Sequence, residues 1–316
     1  MSYGFTAVND NGKVIINDTL ENLHFIGKAT QTNTLMAYND FPTYSGANDT
    51  LDGVTIFTFT ITCSGTPVAF IKPTDYDRWH SIVKQSASGT TWTFEVLGGG
   101  ESTSNAPELY VFVNADDIPT PSDTHGLLVY KADGTTKTFD SRRQPLAITG
   151  GGSAVSPSDP TNSSGLPGTS NNQNWQSATL DHDFRSSNQY NTYSDAGCNT
   201  TNAMFACPSL AQGVYSRVIN GYKCSNHPYP QSGCQEHWST AWWWVMYRAA
   251  FRIQTNEFQA GWNCYEAGYW YSENYNSGGW FGSGGGGYSA GNAPYGNKII
   301  NLSSNAYIIA DSSRFD

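Results

Sequence analysis

Val54-Thr55-Ile56-Phe57-Thr58-Phe59-Thr60-Ile61-Thr62 decides the fold class. The run is built from β-branched and aromatic residues, which fit a pleated and half-buried surface. From Phe57 to Thr62 apolar residues alternate with threonine, the period of a strand with one face on a core and one toward water. A helix would need its apolar residues every three or four positions, and this run has no such rhythm.

The same texture recurs in Gly4–Val8, Val14–Ile16, Val68–Ile71, Trp92–Leu97, Leu109–Val113 and Leu127–Tyr130. The breaks between these runs carry turn chemistry: Asn9-Asp10-Asn11-Gly12, Ser64-Gly65 and Ala132-Asp133-Gly134. The last lies between Val129-Tyr130 and Thr138-Phe139 and predicts a hairpin in which Gly134 supplies a positive φ. Short strands at close spacing with no helical period predict an antiparallel β-sandwich over residues 1–150.

Composition narrows the functional classes. Only 13% of the 316 residues are charged, aromatics reach 14%, and there are 32 glycines. Solubility therefore rests on Asn, Ser, Thr and Gly, as in extracellular all-β proteins rich in turns. A net charge of −10 argues against a nucleic-acid partner, because phosphate binding draws on Lys and Arg. No basic, apolar leader opens the chain, so synthesis in the cytoplasm without export is expected. The longest apolar run, Ala241–Ile253, is shorter than a membrane span and is interrupted by Arg248 and Arg252.

The texture changes after residue 150. Residues 151–174 hold almost only Gly, Ser, Pro, Asn, Thr and Asp and read as a flexible linker. Residues 175–296 read as a loop-rich insertion containing one or two helices. The first would run from Glu236 to Ile253 on Trp242-Trp243-Trp244-Val245-Met246-Tyr247, apolar nearly all round. The second would cover Leu210–Ile219 behind Pro208. The closing runs Lys298–Leu302 and Ala306–Ala310 are strand-like again, and a return within 297–316 would complete the sandwich.

Within the insertion, Trp262, Tyr265, Tyr269, Trp270, Tyr271, Tyr275, Trp280, Phe281 and Tyr288 are threaded with glycine. Such rings bury much area while ordering few torsions, which suits contact with a receptor or glycan. Packing on one another as a core, or at a subunit interface, are the competing expectations.

The opening Tyr3-Gly4-Phe5-Thr6-Ala7-Val8-Asn9-Asp10-Asn11-Gly12 resembles the first strand of a family of tailed-phage minor tail, tail-tip and fibre proteins. Asp133-Gly134 followed by Phe139-Asp140-Ser141-Arg142 is similar to that family's second recurring element, a hairpin followed by an FDS-R motif. The resemblance covers residues 1–30 and 125–150. It implies a virion protein whose β-sandwich docks to a particle, with other virion proteins as partners in trimeric or six-fold copies. An insertion contacting a host surface glycan or protein is also implied. A capsid decoration or head-fibre protein, and a free carbohydrate-binding module or glycan hydrolase, are the rival expectations.

Cysteine and histidine make the sharpest local pattern. Cys224-Ser225-Asn226-His227 and Cys234-Gln235-Glu236-His237 repeat one unit. Cys224, His227, Cys234 and His237 are chemically suited to tetrahedral zinc, the one cofactor in view, though not at zinc-finger spacing. A Cys224–Cys234 disulfide, a parallel Cys198–Cys207 disulfide, and free buried thiols are the alternatives. Lone His24, His80 and His125 read as surface residues or satisfied core residues. For catalysis, Asp181-His182-Asp183 and the pair Glu266 and Glu273 offer acid–base groups, but none sits in a recognisable catalytic frame. No enzymatic activity is expected.

Overall fold

The computed structural model describes residues 6–8, 14–17, 22–37, 54–98, 105–118, 122, 125–155, 190–207, 212–226, 234–275, 298–301 and 305–316. Its side chains are described over 22–34, 55–98, 105–118, 122, 125–155, 190–207, 248–262 and 305–316. The protein is mainly β, every strand pairing is antiparallel, and no helix of seven or more residues occurs among the described residues.

The Val54–Thr62 run forms strand β5. Phe57 and Phe59 are buried while Thr58 and Thr60 are partly open, the alternation the sequence predicts. Strands β4 (Thr30–Ala37) and β8 (Thr91–Gly98) flank it. The sheet continues through β7 (His80–Ser88), β16 (Cys234–Gln254) and β17 (Glu257–Tyr275) to β13 (Asn191–Ser194). Off β16 hang β15 (Gln212–Asn226) and, beyond it, β18 (Lys298–Asn301).

A second, six-stranded sheet runs in the order β12 (Ile148–Ala154), β19 (Asn305–Asp311), β14 (Ala203–Ala206), β6 (Val68–Lys72), β9 (Glu108–Asn114), β3 (Leu23–Lys28). Its central strands β14, β6 and β9 read as near-continuous apolar runs because both faces are covered there, whereas the edge strand β12 is largely exposed. Ala69, Ile71, Leu109, Val111, Phe205 and Ile309 share one apolar cluster with Phe57, Phe94, Val96, Phe251 and Phe258 of the first sheet. Phe70, Tyr110, Phe112 and Met204 form a separate cluster closed by Phe315. The neighbouring Asp316 side chain is held by Lys28, Lys72 and the Tyr110 hydroxyl.

Two hairpins complete the described structure. One joins β1 (Thr6–Val8) to β2 (Val14–Asn17), and the other joins β10 (Leu128–Tyr130) to β11 (Lys137–Asp140). In the second hairpin Gly134 has φ +73°, the left-handed backbone expected of it. Asp133 closes the turn by accepting from the backbone N–H groups of Thr135 and Thr136, each at 2.8 Å.

Several expectations are corrected. The helix predicted over Glu236–Ile253 is the middle of strand β16, and the one predicted over Leu210–Ile219 falls in strand β15 from Gln212 onward. An apolar run with no clear period fits either element, and here a partner strand on each side satisfies its backbone groups. Of the expected linker, residues 151–154 belong to β12 and pair with β19. Residues 156–174 lie outside the described residues.

Pairings also join strands from before and after residue 150. β14 pairs with β6 and β19, and β16 reaches β7. Of the closing strands, β19 pairs with β12 and β14, whereas β18 pairs with β15.

Candidate functional site

Strands β15, β16 and β17 are 15, 21 and 19 residues long. At about 3.3 Å per residue, β16 spans roughly 70 Å, several times an ordinary strand. Its only described pairing with the rest of the sheet is Phe251 opposite His80. From Cys234 to Tyr247 it pairs, among the described residues, solely with β15 and β17, so beyond that point the three strands form a ribbon of their own. The register shifts between Met246 and Tyr247, where Glu266 and Cys264 are the successive partners and Tyr265 is skipped. Such a bulge bends and twists a strand locally.

Register brings the ribbon's aromatic residues together: Trp242 opposite Trp270, Trp243 opposite Tyr269, and Tyr222 opposite Trp238. Cross-strand aromatic pairs each add a fraction of a kcal/mol to about 1 kcal/mol to an antiparallel ladder. Of the contact residues expected from sequence, Tyr265, Tyr269, Trp270, Tyr271 and Tyr275 lie on β17 beyond the root. Trp280, Phe281 and Tyr288 lie outside the described residues. Trp262 is corrected: it is fully buried in the cluster shared by the two sheets, so it contributes packing and no contact surface.

At the root, three segments far apart in sequence meet. The Arg252 guanidinium carbon lies 4.7 Å from the Trp79 ring centroid and 5.2 Å from that of Tyr190, and the two rings are 5.8 Å apart. Trp79 is buried, whereas Tyr190 is 44% exposed. Gly261 makes this arrangement fit, because a Cβ there would come within 2.9 Å of the Trp79 ring. No sequence signal marks the group, since its members share neither a motif nor a period.

A buried polar hub underlies the hairpin of β10 and β11. Asp140 has no exposed side-chain surface and takes a 2.8 Å hydrogen bond from Arg142 Nε and a 2.7 Å one from Nη2. Arg142 holds its carboxyl down to about 2. The Asp140 backbone N–H donates to His24 Nε2 at 3.3 Å, and His24 Nδ1 lies 3.0 Å from the Asn22 carbonyl. This pattern suits one neutral tautomer, and burial lowers the His24 pKa. His24 is thus a satisfied core histidine.

His80 is not. It is fully buried, neither ring nitrogen makes a well-formed hydrogen bond although backbone groups of Leu97 and Asp75 approach, and burial pushes its pKa down to about 4.

Cys198 and Cys207 are free and buried, which corrects the expected disulfide between them. Burial and the Asp195 charge push the Cys198 thiol up to about 12, and burial alone raises that of Cys207. Both are poor nucleophiles and poor metal ligands. Cys224 stands opposite Glu236 and Cys234 opposite Asn226. His237 stands opposite Lys223, and His227 lies outside the described residues. No group of three or more metal-ligating residues occurs among the described residues.

Glu266 and Glu273 lie on one strand roughly 23 Å apart, far beyond the about 5–10 Å separation of a glycosidase carboxylate pair. Asp181, His182 and Asp183 lie outside the described residues.

No protein-family model matches the chain, and none of the curated proteins or solved structures compared with it is similar.

Proposed function

We propose that this chain is a non-enzymatic structural protein of a tailed-phage virion, placed at the tail tip, baseplate or fibre and contributing to host attachment. On this reading the two sheets are the faces of a β-sandwich that docks to the particle in several symmetric copies. The observation that carries it is the ribbon of β15, β16 and β17, which extends past the single Phe251–His80 pairing and concentrates Trp and Tyr at facing register positions. An elongated, aromatic-rich projection rooted in a well-packed β core suits adhesion or assembly better than it suits chemistry at a cleft. The hairpin around Gly134 and the Asp140–Arg142 pair, where the resemblance to tail proteins lies, support the same reading.

Immunogold labelling of intact particles with an antibody against this chain tests it. Gold at the tail tip, together with slower host adsorption in the presence of the antibody, is the expected result. Gold on the head would make the chain a decoration or head-fibre protein. Its absence from purified particles would end the virion reading.

A further inference from the structure

The root of the ribbon carries a guanidinium charge that no described carboxylate neutralises directly. Arg252 donates from Nε to Gln259 Oε1 at 2.7 Å and from Nη1 to the Asp77 carbonyl at 3.2 Å, both neutral acceptors. Nη2 makes no hydrogen bond among the described residues. The neighbouring carboxylates are engaged by amides: Gln254 Nε2 donates to Asp77 Oδ1 at 3.2 Å, and Gln259 Nε2 to Glu257 Oε2 at 3.0 Å. Beside this charge stands the half-exposed Tyr190 ring. Its backbone position is fixed by the pairing of Asn191 with Ala260, and its other neighbour is the buried Trp79.

From this we infer that Tyr190 and Arg252 form a binding site for a carboxylated sugar. A sugar ring has an apolar C–H face that stacks on an aromatic ring, and Tyr190 is 44% exposed. An acidic sugar adds a carboxylate, for which a planar guanidinium with a free N–H edge is the best-matched partner. The guanidinium is already oriented by two hydrogen bonds and two rings, so little side-chain freedom is lost on binding. A neutral sugar would offer Nη2 no charged acceptor. The site lies outside the aromatic loops singled out from sequence, and it rests on the attachment reading only for its biological purpose.

The test uses the full chain in isothermal titration with tetragalacturonate and with 3′-sialyllactose. The uncharged methyl ester of the first and lactose serve as neutral controls. Binding of at least one acid is expected, with its neutral counterpart roughly tenfold weaker or worse. Tyr190→Ala changes an exposed side chain and is expected to weaken binding by a similar factor at unchanged thermal stability. Arg252→Lys keeps the charge but removes the planar fork and should also weaken it. The site is refuted if neither acid binds, if the neutral analogues bind as well as the acids, or if Tyr190→Ala binds like the wild type. Because the titration needs no particles, its failure is separate from failure of the labelling experiment.

Discussion

Phe258 and Tyr307 stack face to face, with ring centroids 4.0 Å apart and planes within 7°, although Phe258 belongs to β17 and Tyr307 to β19 of the other sheet. Phe258 also stacks on Phe251 at 5.6 Å and meets Phe205 edge-on at 5.6 Å. One fully buried ring therefore ties the ribbon's root to both sheets. Phe258→Ala is expected to destabilise the protein by about 4 kcal/mol, the loss for deleting a buried phenyl ring from a packed core. Urea unfolding measures it, and a loss below about 1 kcal/mol would mean that the root is not packed this way.

Asp140 supports a second prediction. Its carboxylate is buried between Arg142, doubly hydrogen-bonded to it, and Lys137 at 3.6 Å. Asp140→Asn removes the buried carboxylate that Arg142 doubly hydrogen-bonds and should cost about 3 kcal/mol. The pH dependence follows from a folded pKa of about 2 against the ordinary carboxylate value of 3.8. The unfolded chain binds the proton first as pH falls, so the stabilisation is complete above about pH 4 and lost on acidification through pH 2. Acid unfolding of the wild type and the variant should differ by that segment.

Strand β5 was legible because its apolar residues alternate and its turn neighbours are local. The hairpin around Gly134 was legible for the same reason, its Asp-Gly pair lying between two short apolar runs. Strand β16 was not. Trp242 through Phe251 are apolar at nearly every position, which erases both the strand and the helix period, and only the partner strands decide between them. Nor was the root site. Trp79, Tyr190 and Arg252 meet across sequence separations of 62 to 173 residues, and no local signal records such contacts. Trp262 misled because its neighbours in sequence are the ribbon's aromatics, while its neighbours in space are the core.

Thiol chemistry gives a third prediction. Cys63, Cys198 and Cys207 are all free and buried, and burial raises each thiol's pKa. Iodoacetamide should leave their peptides unmodified in the native protein and alkylate all three in denaturant without any reductant. Recovery of a cross-linked Cys198–Cys207 peptide would contradict the structure.

His80 gives the last prediction. It lies at the start of β7, where its backbone pairs with Gly98 on one side and with Phe251 of β16 on the other. Burial, reinforced by the Arg78 charge and only partly opposed by Asp75, lowers its pKa from 6.5 to about 4. Between those values the unfolded chain carries the proton and the folded chain does not, so stability rises with pH across the window. It is full above about pH 6.5, falls as pH drops, and levels off below about pH 4, a difference of roughly 3 kcal/mol from this residue. His80→Leu replaces the imidazole by an apolar side chain of similar size and should flatten that segment, while His24, whose pKa is also lowered, leaves a shallower slope. Urea midpoints measured from pH 4 to 7 decide it. Parallel curves for wild type and His80→Leu would show that His80 is hydrated, and that water reaches the joint between ribbon and sheet.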